Sequence, residues 1–273
     1  VYVPLVTPFA ADGSVAYGAL EALARGVLDE GAAGLVALGT TGEPESLDAG
    51  ERAEVAGLVG RVCREAGARF LLGVGDGGRG PGPEEWEVAP DAVLVTVPAF
   101  VRPGEAGVVA YFAAVAGSWG VPVVVYHVPA RTGQPLGARA LRELAAIPGV
   151  IGVKYAVGGI DAETVDLLGD RPPVFDVLAG DDVFAPALLA LGADGLITAS
   201  AHLDTAEWVK LAATGDRALG HRLAARAAAL FREPNPTVIK AALHAQGRIP
   251  TPGVRLPLLP CSAESLAAVR LGT

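Results

Sequence analysis

Val150-Ile-Gly-Val-Lys154-Tyr-Ala-Val157 is a nearly unbroken apolar run with a single ammonium set into it. A strand with one wet face alternates apolar and polar residues. A continuous run suits a strand covered on both sides, as in a parallel sheet lying under helices. Short Val/Leu/Ile runs of the same kind recur on either side, predicting strands over 1–7, 34–39, 69–75, 92–98, 122–128, 150–155, 175–180 and 195–199. Amphipathic stretches between them predict helices over 17–30, 48–66, 104–117, 138–147, 161–169 and 183–191, with further helix over 204–230. Strands alternating with helices are the pattern of repeated βα units. Eight such strands predict an α/β chain folded as a (β/α)8 TIM barrel, with a doubly wound open sheet as the alternative.

Pro234-Asn-Pro236 then punctuates the chain, and 237–246 and 262–271 predict two more helices. This divides the chain into a barrel over 1–219 and a small C-terminal helical extension over 220–273. One unit departs from the pattern. Gly75-Asp-Gly-Gly-Arg-Gly-Pro-Gly-Pro83 leaves only 84–89 for a helix, so the third crossover helix is expected to be truncated. Gly73-x-Gly75-x-x-Gly78 matches the dinucleotide fingerprint formally. That motif needs a helix opening at its last glycine to face a pyrophosphate. Arg79-Gly-Pro-Gly-Pro83 cannot open one, since proline and glycine oppose helix there.

Over 273 residues, 51% hydrophobic composition supports a large core, and a net charge of −9 argues against a nucleic-acid partner. Residues 106–125 carry no charge between them and approach membrane-spanning length. Gly117, Gly120 and Pro122 break that run into helix, turn and strand, so no membrane partner is expected. Cys63 and Cys261 lie far apart, and His127, His202, His221 and His244 form no ligand spacing, so no metal site is expected. Val1-Tyr-Val-Pro-Leu-Val-Thr-Pro-Phe9 has no basic region or cleavage site of a signal peptide, and a cytoplasmic location is expected.

Only three of the 21 basic residues are lysine, and Lys154 is the one set in an apolar strand. Burial disfavours the charged form of an amine, and a neutral amine attacks carbonyls. The alternatives are a salt-bridged core lysine or one snorkelling out at the strand end. In a βα barrel the working residues sit at the C-terminal ends of the strands. Those ends here are Thr7, Gly39-Thr-Thr-Gly-Glu43, Tyr126, Lys154, Gly180-Asp181 and Ile197-Thr198. Thr40 and Thr41 offer hydroxyls and backbone N–H groups to a small carboxylate, or form a tight turn and nothing more. Tyr126 aims a phenol at the barrel mouth or serves the strand end structurally. Arg131, one loop further, clamps a carboxylate bidentately or lies in solvent.

Seven stretches then fall in order along nearly the whole chain. They are Thr7-Pro-Phe9, Gly39-Thr-Thr-Gly-Glu43, Tyr126-His-Val-Pro-Ala-Arg-Thr-Gly133, Ile151-Gly-Val-Lys154, Gly180-Asp-Asp182, Glu233-Pro-Asn-Pro236 and Arg255-Leu-Pro257. In these the chain resembles the dihydrodipicolinate synthase / N-acetylneuraminate lyase family of pyruvate-dependent class I aldolases. The resemblance implies that Lys154 forms an imine with pyruvate, and that Tyr126 moves protons with Thr40 linked to it. Thr40 and Thr41 would hold the pyruvate carboxylate, and the backbones of Gly180 and Ile197 would line the pocket. Arg131, in the Arg-Thr-Gly form of the loop, would hold the carboxylate of aspartate semialdehyde, which points to the synthase branch. The implied partners are pyruvate and an aldehyde, and the implied assembly is a homodimer or homotetramer. No cofactor is implied, because the lysine imine serves as the electron sink.

Three departures from the family pattern matter. Pro98 is followed by Ala99 and Phe100, where the family carries two tyrosines. The second of those crosses a dimer interface and completes a proton relay, and Phe100 fills space without a hydroxyl. Tyr155 replaces an acidic residue after the lysine. The truncated third crossover removes a helix near the tight-dimer face and leaves Gly77, Pro44 and Ala99 at feedback-site positions of lysine-regulated synthases, so no lysine inhibition is expected. A sugar-acid or aromatic-aldehyde aldolase, and a low-turnover keto-acid-binding paralogue, are the alternative functions.

Overall fold

The computed structural model describes residues 1–75 and 82–271. Its organisation follows from the apolar runs. Val123–His127 is buried at every position, and successive side chains of a strand face opposite sides of the sheet. Val124, Tyr126 and Val128 therefore point inward with Val36, Leu94, Leu178 and Ile197. Val123 and Val125 point outward into the shell between sheet and helices.

The strands are β1 (Tyr2–Pro4), β2 (Gly34–Ala37), β3 (Arg69–Gly73), β4 (Ala92–Thr96), β5 (Val123–His127), β6 (Val150–Tyr155), β7 (Asp176–Ala179) and β8 (Gly195–Leu196). Each pairs in parallel with the next in sequence order. A parallel bridge between Tyr2 and Ile197 joins the last strand to the first, and the Thr198 N–H donates to the Tyr2 carbonyl at 3.3 Å. The open-sheet alternative is thereby excluded, and the eight-stranded parallel barrel stands.

Helices α1 (Tyr17–Asp29), α2 (Ala49–Ala66), α3 (Gly104–Val115), the single turn α4 (Pro129–Thr132) and α5 (Ala138–Ala145) cover the first half. Helices α6 (Ala162–Gly169), α7 (Ala185–Ala190) and α8 (Ala201–Thr214) follow. Helices α9 (Arg217–Leu230), α10 (Thr237–Ala245) and α11 (Ala263–Leu271) end the chain. Local chemistry sets the bounds. In α2, Asp48 and Glu51 form a reciprocal capping box, and Gly67 ends the helix in the left-handed region.

The stretch expected to supply helix over 204–230 is two helices. Gly215 turns left-handed to end α8, and the Asp216 carboxylate accepts the N–H groups of Ala218 and Leu219 to start α9. A junction at 219/220 would fall inside α9, whose residues Leu219 and Leu223 belong to the same core cluster as the barrel. The third crossover has no α-helix among its described residues, only a 3-10 turn over Pro83–Glu85. Gly78, Arg79 and the rest of 76–81 lie outside the described residues. The short link that follows plugs the gap. Val88 packs so closely on α2 that a Cβ at Gly60 would stand 2.7 Å from it, and Trp86 stacks on Trp119.

Among the described residues no helix is long and apolar enough to cross a membrane, and no group of three or more His, Cys, Asp or Glu side chains could hold a metal ion.

Candidate active site

Parallel pairing in register places Tyr126 of β5 beside Lys154 of β6, and Lys154 beside Leu178 of β7. All three point into the barrel, and the Lys154 Nζ lies 4.3 Å from the centroid of the Tyr126 ring. Lys154 is 5% exposed, and no carboxylate pairs with it among the described residues. Gly180, one residue beyond β7, lies against its stem. A Cβ there would stand 2.6 Å from Lys154 Cγ and 2.8 Å from Cε, so this position must lack a side chain. Ile197 is fully buried in the barrel interior with Tyr126. The Lys154, Tyr126, Gly180 and Ile197 positions are thus contiguous.

Thr40 and Thr41 form a 3-10 turn at the end of β2, and Glu43 caps it at φ +54°. That left-handed backbone is strained for a residue with a side chain, and surrounding contacts hold it. The Thr7 hydroxyl donates to the Gly42 carbonyl at 2.7 Å. Lys240 of α10, fully buried, donates from Nζ to Glu43 Oε1 and to the Thr7 carbonyl, both at 2.8 Å. Its ammonium also lies over the Phe9 ring. Glu43 Oε2 accepts the Arg255 N–H at 2.9 Å, and the Arg255 guanidinium grips Glu51 with two bonds of 2.6 Å. Asn235 Nδ2 donates to Thr41 Oγ1 at 2.9 Å. The C-terminal helical region therefore builds the floor under the Thr40–Thr41 turn.

Lys240 is the functional neighbour that sequence reading missed. The signal was present: a rare lysine inside the apolar stretch Val238-Ile-Lys-Ala-Ala-Leu243. The two buried lysines differ in availability. Lys240 spends two of its three donors on protein oxygens and is closed to any ligand, whereas Lys154 stands beside the ring that faces the cavity.

A cavity of about 790 Å³ opens at this end of the barrel, with Thr40, Tyr126, Arg131 and Asn235 in its wall. Lys154, Thr41 and Ile197 are buried, and neither they nor Gly180 line it. Thr40 and Tyr126 share the cavity without a direct hydrogen bond between them. The Arg131 side chain is exposed and carries no ion pair or hydrogen bond among the described residues. Pro44 and Ala99 also line the cavity, while Gly77 lies outside the described residues. Phe100, expected to fill a tyrosine's space, sits at the rim at φ +64° and is 93% exposed.

Burial sets the nearby titrations. Asp182 is buried, and desolvation pushes its carboxyl up to about 6, against the Ser200 N–H that donates to it at 2.6 Å and the charge of Lys154. Burial pulls His202 down to about 4. The neutral ring donates from Nδ1 to the Ala199 carbonyl and accepts the Val6 N–H on Nε2, which ties the end of β8 to the end of β1. Tyr155, beside Lys154 in sequence, faces outward. It shares a hydrogen bond of 3.0 Å with Thr164 and tilts against His127, which burial also lowers to about 4.

Comparison with known proteins shows which proteins the whole chain is similar to. The 4-hydroxy-tetrahydrodipicolinate synthase of Laribacter hongkongensis is 35% identical over 269 residues, 94% of this chain and 91% of that protein. The dihydrodipicolinate synthase of Thermotoga maritima superposes with a TM-score of 0.90 at 27% identity, covering 99% of this chain and 96% of its own. The chloride-inhibited dihydrodipicolinate synthase of Acinetobacter baumannii, solved with pyruvate, gives 0.89 at 30% identity, with 99% and 96% covered. The family model described as the dihydrodipicolinate synthetase family matches residues 1–271, and the chain belongs to that family.

Proposed function

We propose that this protein is a class I lyase that condenses pyruvate with an aldehyde through an imine on Lys154, as a 4-hydroxy-tetrahydrodipicolinate synthase acting on aspartate semialdehyde. The observation that carries the reading is the unpaired amine of Lys154 beside the Tyr126 ring in a barrel whose mouth also holds Thr40 and Arg131. The neutral amine adds to the keto carbon and water leaves, giving an imine. Loss of a methyl proton gives an enamine, whose carbon bonds to the aldehyde carbon. With aspartate semialdehyde the acceptor's own amine then attacks the imine carbon, which closes the ring and restores the lysine amine; an acceptor without an amine is released by water instead.

Tyr126 is the proton carrier in this scheme, and Thr40 and Thr41 hold the pyruvate carboxylate. Gly180 and Ile197 shape the pocket around the lysine stem. Arg131, free of any internal partner among the described residues, takes the acceptor's carboxylate bidentately. The protein works as a homodimer or homotetramer. Phe100 has no hydroxyl to pass a proton, which lowers turnover. Pro44 and Ala99 in the cavity wall offer no charge to an amino acid, so lysine does not inhibit. An isotherm with lysine in the millimolar range, showing binding and inhibition, would overturn that expectation.

The rim favours a second acceptor class. Ala99, Phe100, Val101, Leu256, Pro257 and Leu258 line the mouth, a wall suited to an apolar or aromatic aldehyde. Borohydride reduction in the presence of pyruvate, followed by peptide mass spectrometry, tests the shared step. A reduced pyruvyl adduct on Lys154, absent from Lys154→Ala, is expected, and a folded protein without adduct refutes the lyase reading. A panel of aldehydes then separates the acceptors, and trapping without condensation identifies a keto-acid-binding protein instead.

A further inference from the structure

Asn235 lies in the turn between α9 and α10, 194 residues from Thr41, yet its Nδ2 donates to the Thr41 hydroxyl oxygen at 2.9 Å. A threonine hydroxyl has one proton to give and two lone pairs to receive. With Asn235 occupying a lone pair, the Thr41 proton must point elsewhere. Among the described residues no protein acceptor takes it. Thr41 is 2% exposed, and its neighbours Thr40 and Asn235 both belong to the cavity wall. The amide oxygen of Asn235 is buried without a partner. Reversing the amide would leave an N–H in that place, and buried N–H groups without acceptors are the rarer and costlier defect.

We propose that Asn235 is a positioning residue of the pyruvate site, which holds the Thr41 hydroxyl as a hydrogen-bond donor for the carboxylate of a 2-keto acid. This rests on the pyruvate-lyase reading given above. The device explains why the C-terminal region reaches into the barrel mouth here: a hydroxyl free to rotate can either donate or accept a hydrogen bond, and only the donating form suits an anion. Lys240, five residues further on, fixes Glu43 at the other end of the same turn and so keeps Thr41 within reach of the amide.

The test compares wild type with Asn235→Asp and Asn235→Ala. Pyruvate binding is measured by calorimetry, and the half-saturating pyruvate for borohydride trapping is measured alongside it. The introduced carboxylate would accept the Thr41 hydroxyl's hydrogen bond itself and set a like charge near the ligand. Half-saturation is expected to rise about 10–100-fold, the range of a hydrogen bond to a charged group, with the trapping plateau moving far less. Asn235→Ala, which frees the hydroxyl to rotate, is expected to fall between the two and serves if the acidic variant does not fold. Lowering the pH should shrink the ratio of Asn235→Asp to wild type, because the protonated acid can again donate to Thr41; a merely structural role would leave that ratio flat.

Equal half-saturation in all three proteins overturns the proposal. Wild type that binds pyruvate without being trapped removes the imine chemistry alone, and the calorimetric comparison still decides on Asn235. Wild type that neither binds nor traps pyruvate overturns both.

Discussion

At Lys240 a fully buried ammonium meets Glu43, the Thr7 carbonyl and the Phe9 ring. Burial pulls its pKa down to about 8, against the opposing pull of Glu43. Such a pair is costly to desolvate but far more costly to break, since one partner removed leaves the other charged and alone. Lys240→Met or Glu43→Gln alone should destabilise by about 3–5 kcal/mol. The double substitution should lose much less than the sum, as read from urea unfolding midpoints. Additive losses would show that the two groups do not depend on each other. Lys154 and Lys240 also mark how far the sequence could be read. Scarcity and an apolar strand singled out Lys154, but the same composition surrounds Lys240 on a helix, and only the partners in space separate an amine without a carboxylate partner among the described residues from an anchored one.

At the scale of elements, the eight strands and most helices were legible because each depends on local composition. Apolar runs made the strands, and glycine, proline and capping residues bounded them. The division of 204–230 into α8 and α9 depends on Gly215 and Asp216, two residues whose turn chemistry a helical pattern over a long window conceals. Asp216→Ala should cost about 0.5–2 kcal/mol by leaving the first N–H groups of α9 without an acceptor. Thermal unfolding compared with wild type measures it; an unchanged melting temperature would mean that α9 is held by packing alone. The expected boundary at 219/220 falls within this same element, which runs over Arg217–Leu230.

For the whole molecule, two neutral histidines set a sign for acid stability. His127 and His202 both lie near 4 when folded, below the usual 6.5, because burial disfavours their charged forms. Between those values the unfolded chain binds the extra protons, so the native state loses stability as pH falls through the window, by up to about 1.4 kcal/mol per pH unit for each. Asp182 acts oppositely, since its raised value lets the folded state take a proton first as pH falls from about 6. Comparing His202→Gln with wild type in urea at several pH values isolates one group. The gap between them should narrow from neutral pH towards 4.5, and parallel curves would show that His202 does not titrate there.

The sequence by itself determined the βα periodicity, the barrel and the strand ends that carry Thr40, Tyr126 and Lys154, because apolar period and turn residues act over a few neighbours. It also marked Arg131 and the irregular third crossover. The tertiary structure alone decided that Asn235 and Lys240 reach across about two hundred residues to grip one turn, and that Phe100 stands out at the rim. Those outcomes depend on which side chains meet after the chain closes on itself, and no local pattern encodes the partner of a buried charge or a hydroxyl.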